Sequence, residues 1–431
     1  MPARQAPRRR AGAEAAAARP MDIARARRRA ASQRRVRRQR LAGAAGGLVA
    51  IVVVLVVALT SGGSSEHSSR RAKHAGARRA KQIVPGGPLA PASIGGLAAL
   101  WAPQNVVAAQ PATAAAYEAA SRIPGPAGYL LVADRGNNRI LVLDRTGKVV
   151  FLYPTPAERR MGRRLVYNDD TFVVPGGAAM IANEEDNNAV VEVTLADRKL
   201  HVLFGHPGVA GNDSTHLHTP DDAYALPDGS FTVADAYACR ILFVRNRRII
   251  RQYGHSGVCV HDPPRYLAAV NGDTPTPSGG VLVSEINGSW VDEIGPDGRL
   301  VFSLKAPVSY PSDPQPLPGG RILLSDYANP GHVLIVDHRG KTLWRYGPAR
   351  GPGRLDHPSL ALPLPNGNIA VNDDYRHRVI VIEPRAKRIV WQYGHTDIPG
   401  TAAGYLNIPD GMDFVPIGPR GGPDYAAVVH P

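Results

Sequence analysis

LLVADRGNNRILVLD, residues 130–144, decides the fold. An apolar run ends on Asp134, a polar turn follows, and a second apolar run opens at Arg139. The same arrangement returns as MIANEEDNNAVVEV (180–193), FTVADAYACRILFV (231–244), VLVSEINGSWVDEI (281–294), ILLSDYANPGHVLIVD (322–337) and IAVNDDYRHRVIVIE (369–383). Its acids are Asp134, Glu184, Asp235, Glu285, Asp326 and Asp373, separated by 50, 51, 50, 41 and 47 residues. That spacing belongs to a repeated supersecondary unit.

Outer parts recur as well. Pro/Gly turns precede the acid in AYALPDG (223–229), PQPLPGG (314–320) and LALPLPNG (360–367), each after a further strand. A closing strand follows in HVLFGH (201–206), IIRQYGH (249–255), TLWRYGP (342–348) and IVWQYGH (389–395). Four short antiparallel strands per 40–50 residues make the blade of a β-propeller. A linear solenoid would need protective end caps, and none is visible. The fold class predicted is therefore all-β: a six-bladed propeller preceded by one transmembrane helix. Seven blades is the alternative, because GMDFVPIGPRGGPDYAAV (411–428) resembles the first two strands of another unit, which the segment around 90–123 would complete.

The core Asp134-Arg-Gly-Asn-Asn-Arg-Ile-Leu-Val-Leu-Asp144 closely resembles an NHL repeat, and the copies at Asp235–Val244 and Asp373–Ile382 keep its spacing from acid to Arg. Ala189 and Trp290 depart from it, and the fifth copy carries one extra residue before Val333. The closing strands and PLPNG turns also resemble quinoprotein-like and arylsulfotransferase-like propellers. The resemblance covers roughly 125–400 and implies a fold far more than an activity, since such propellers include lyases, lactonases, transferases and pure binders.

Charge places the chain. The 431 residues carry a formal +15, but residues 1–40 hold 14 Arg against 2 acids, and residues 61–82 hold six basic residues against Glu66. The remaining body is within two charges of neutral, so the basic balance is no nucleic-acid signature. Leu41–Thr60 is a twenty-residue uncharged run, enough for a helix to cross a hydrocarbon core of about 30 Å. Arg34, Arg35, Arg37, Arg38 and Arg40 abut its start, so the amino end is expected in the cytoplasm and the propeller outside. The expected organisation is a basic cytoplasmic tail (1–40), a transmembrane helix (41–60), a stalk (61–115) and a propeller domain (116–431). A cleaved signal peptide is the competing reading of the apolar run.

The candidate ligand-binding residues are the six recurrent acids together with Asp222, Asp313 and Asp410. The last three, like Asp221, lie on the connections into the innermost strands, where a ring of acids around a channel would select a cation or cationic ligand. Within a repeat, Asp134/Arg139, Asp235/Arg240 and Asp373/Arg378 are expected to meet across the turn as exposed pairs worth about 0–1 kcal/mol each. His216-Leu-His218 would project both rings to one face of an extended segment, a candidate divalent-metal pair. Cys239 and Cys259 should open on one face and form a disulfide closing a twenty-residue loop.

The sequence lacks GxSxG, HExxH and P-loop motifs. Binding is therefore favoured over catalysis, with a protein, an envelope polymer or a small molecule as partner on the loop face. The alternative is an extracytoplasmic enzyme, either a metal-dependent lyase or hydrolase or a quinone-type oxidoreductase.

Overall fold

A computed structural model describes residues 128–430. The expected tail (1–40), transmembrane helix (41–60) and stalk (61–115) lie outside the described residues, as do the segment around 90–123 and the first residues of the expected domain. Among the described residues no helix is long and apolar enough to cross a membrane.

Alternating apolar and polar residues, broken every few positions by Gly, Pro or Asn, fold into strands of three to seven residues. Three open the described residues: β1 (Tyr129–Asp134), β2 (Arg139–Leu143) and β3 (Val149–Tyr153). Blade II follows as β4 (Asn168–Val173), β5 (Ala179–Glu184), β6 (Ala189–Thr194) and β7 (Leu200–Gly205). Blade III is β8 (Pro220–Asp222), β9 (Phe231–Asp235), β10 (Arg240–Arg245) and β11 (Arg248–Gly254). Blade IV is β12 (Val270–Pro275), β13 (Val281–Glu285), β14 (Trp290–Ile294) and β15 (Leu300–Lys305). Blade V is β16 (Pro311–Leu317), β17 (Arg321–Asp326), β18 (His332–Asp337) and β19 (Thr342–Tyr346). Blade VI is β20 (Ala361–Pro363), β21 (Ile369–Asp373), β22 (Arg378–Glu383) and β23 (Arg388–Gly394).

The last strand, β24 (Pro409–Val415), pairs antiparallel with β1, placing Leu131 opposite Asp413. Blade I is thus β24-β1-β2-β3, and the described strands make six four-stranded sheets. This corrects the seven-bladed alternative. Residues 411–415 are the missing innermost strand of the first blade rather than the start of a further one, and joining the two ends of the domain removes the free sheet edges.

The core lies between neighbouring blades. Ile241 and Tyr253 of blade III face Val281, Val283 and Ile294 of blade IV, and Leu282 and Val291 of blade IV face Ile322 and Leu334 of blade V. The turn after the acid has a repeated shape. A single 3-10 turn ends on a left-handed residue, namely Asn138, Asn188, Cys239 or His377, with φ between 52° and 56°. Asn tolerates that region best among residues with a Cβ, which explains its recurrence at two of the four positions.

Candidate functional site: an acidic channel with an aromatic rim

Each recurrent acid ends the second strand of its blade and receives a backbone N–H from the connection into that blade's innermost strand. Asp134 accepts from Asn407, Glu184 from Val166 and Asp235 from His218, at 2.6–2.8 Å. Glu285 accepts from Ala268, Asp326 from Ser309 and Asp373 from Asp356, at 2.8–3.0 Å. All six are buried, so they fasten the innermost strands in place. The Asp/Arg pairs form, but they are not exposed. The side chains of Asp235 and Arg240 are 0% and 1% accessible at 2.8 Å, and those of Asp373 and Arg378 are equally buried at 2.7 Å. The closing connections cover them; Arg240 donates to the carbonyls of Asn212, Asp213 and His216.

The innermost strands bring a second set of acids together. Asp169 and Asp170 come from β4, Asp221 and Asp222 from β8, Asp273 from β12, Asp313 from β16 and Asp410 from β24, joined by Asp374 from the turn after β21. Asn271 donates to Asp221 at 2.8 Å, and Ser359 to Asp374 at 2.9 Å. Gly411 is required here, because a Cβ at that position would overlap Asp170. Asp313 is held at φ 40°, a left-handed strain that aspartate bears better than most residues.

Burial pushes the carboxyls of Asp170, Asp222 and Asp313 well above the usual range, and neighbouring carboxylates push the same way. Asp221 is raised to about 7, by burial and then by Glu185. Oδ1 of Asp170 and Oδ1 of Asp313 are buried without a hydrogen-bond partner. Against this set stands Arg135, which ion-pairs with Asp169, Glu185 and Asp410. Burial opposes the charge of Asp410, yet Arg135 holds that carboxyl below the ordinary range. Tyr224, Gln315 and Thr274 lie deeper, Gln315 donating to Thr274 Oγ1 at 3.2 Å. Phe172 stacks on Tyr224 at 4.0 Å, and both rings meet His430, whose Nε2 lies 2.9 Å from Asp413 Oδ2.

Aromatic rings border the acids. Tyr310 and His357 stand just before innermost segments, and Tyr327 and Tyr375 just after the recurrent acids of blades V and VI. Their rings touch in sequence: Tyr310 to Tyr327 at 5.2 Å, Tyr327 to His357 at 4.9 Å and His357 to Tyr375 at 4.8 Å. Tyr167, just before β4, lies under the Arg135 guanidinium at 4.3 Å. Short-range signals could not reveal this rim, because its members come from different repeats. The acids were closer to legible: in blades II to V the innermost strand begins fifteen or sixteen residues before the recurrent acid, so aligning these copies exposes NDD, PDD, VNGD and PSD at its start.

His216 and His218 pack against different neighbours. His216 stacks on His206 at 4.1 Å and contacts Asp213, whereas His218 packs edge-on against Tyr237. Among the described residues, two groups bring three ligand-type atoms within 4.8 Å of one another: Asp169, Glu185 and Asp221 at the channel, and His261, Glu285 and Asp292 in blade IV. Cys239 and Cys259 are disulfide-bonded.

No protein-family model and no curated protein matches the chain. Similar solved structures include a protein of unknown function from Bacteroides caccae, 19% identical over 66% of this chain and 97% of that one, with a TM-score of 0.45. A streptogramin B lyase is 15% identical over 68% of this chain and 85% of its own, with a TM-score of 0.45. A chain of a nidogen/laminin complex is 12% identical over 66% and 97%, with a TM-score of 0.46. Likeness at this level carries no argument about activity.

Proposed function

We propose that the protein is a membrane-anchored binding module, held by Leu41–Thr60 with its propeller outside the cytoplasm, that takes a ligand bearing an organic cation at the channel mouth. The observation that carries this reading is the run of touching rings whose members adjoin the acids along the chain: Tyr310 precedes the strand carrying Asp313, and Tyr375 follows Asp374. A carboxylate cluster alone would suit any cation, whereas adjoining tyrosine faces favour one with a large, weakly hydrated ammonium group. Arg135 already occupies part of the set, its guanidinium lying over Tyr167 and ion-paired to three acids. It is an internal example of the chemistry proposed for the ligand.

The test is calorimetric titration of the full-length protein, in detergent, with tetramethylammonium and with spermidine. Saturable binding is expected, and Tyr375→Ala and Tyr327→Ala should each weaken it by about 2- to 30-fold, the range of one cation–π contact. Absence of binding to both probes, or binding indifferent to both substitutions, would refute the reading. Anchoring is tested separately: deletion of 41–60 should release the chain from membranes.

A further inference from the structure

Blade IV departs from the arrangement that blades I, III and VI share. In blades I, III and VI the residue five beyond the acid is an Arg paired with that acid. In blade IV it is Trp290, and Glu285 has no guanidinium. Two residues further, where Leu141, Val191, Leu242, Leu334 and Ile380 fill blade interfaces, blade IV places Asp292. Glu285 and Asp292 are both 0% accessible. The two carboxyls face each other, and Ser303 is the neutral group beside Asp292. Two buried carboxyls side by side at an apolar position are costly as a pair of charges and are stable only when they share a proton or hold a cation.

The third group comes from outside the blade. His261 Nδ1 lies 3.1 Å from Glu285 Oε2 and 4.0 Å from Asp292 Oδ2, and its Nε2 lies 3.3 Å from Ser303 Oγ. Its ring lies flat on Trp290, at 4.1 Å and 4°, so the tryptophan that replaces the Arg serves as a platform for the imidazole. Two residues earlier, Cys259 is bonded to Cys239, which fixes the connection carrying His261 to the turn of blade III. The imidazole is 23% accessible, leaving one side of the group open to solvent.

The geometry points to a divalent transition-metal site formed by His261, Glu285 and Asp292, with an open position facing solvent. Two carboxylates balance the charge of a dication, and one imidazole nitrogen beside two oxygens is a donor set suited to Zn2+. The three ligand-type atoms lie within 4.8 Å of one another, so only a small contraction around an ion is needed.

The test uses full-length protein stripped with chelator, dialysed against Zn2+ with metal counted per chain, and compared by thermal melts with and without the ion. Asp292→Leu restores the side-chain type of the other blades and should fold. Asp292→Asn keeps the shape and guards against an unfolded leucine variant. One equivalent of Zn2+ should bind to the wild type and raise its melting temperature. Both variants and His261→Ala should lose that equivalent or weaken it by ~100-fold, since each removes a ligand rather than an outer-shell partner. In chelator, Asp292→Leu should melt above the wild type. Zn2+ bound equally by the wild type and both Asp292 variants, or by none of them, overturns the assignment. So does a wild type whose melting temperature ignores the ion.

Discussion

At the scale of single residues, burial decides what an ion pair is worth. Arg240 is fully enclosed, bonded to Asp235 and to three backbone carbonyls, whereas Arg245 meets Asp228 at 3.5 Å with both side chains about half exposed. Arg240→Met leaves the buried Asp235 without its guanidinium and should cost about 3–5 kcal/mol, while Arg245→Ala should cost about 0–1 kcal/mol. Urea denaturation of the two variants measures the contrast, and equal losses would contradict it. The meeting of Asp235 with Arg240 was legible from their spacing across one turn. Their burial was not, because the cover comes from a connection more than twenty residues upstream and only closes once the blade is built.

At the scale of elements, the informative joint is β24 on β1. The pattern of 411–415 identifies a strand but cannot name its partner, which lies nearly three hundred residues earlier. That is why sequence reading left six and seven blades both open. A chain ending at residue 408 should therefore lose cooperative unfolding, because blade I would lack its innermost strand and the ring would stay open; a sharp melt for that truncation would count against the closure described. The Cys239–Cys259 bond is a second joint, tying the turn of blade III to the connection leaving it. Replacing both cysteines by serine should remove about 3 kcal/mol by chain-entropy reasoning for a loop of this size, read as a lower urea midpoint under non-reducing conditions.

At the scale of the whole molecule, the channel acids make stability and binding respond to pH in opposite directions. Carboxyls whose folded values are raised hold protons that the unfolded chain has already released. Their contribution is complete below the unfolded carboxylate range near 4 and is lost as pH rises through the folded values, about 7 for Asp221. Melting temperature should fall between pH 5 and 8 at constant ionic strength, while affinity for an ammonium probe should rise over the same interval as Asp221 ionises. Parallel trends would mean that the acids do not face the ligand. His430 packs against Phe172 and Tyr224, which follow the acids Asp170 and Asp222 along the chain. A cation proposed for the carboxylates would compete with Arg135, whose ion pairs to Asp169, Glu185 and Asp410 would have to yield for it to settle.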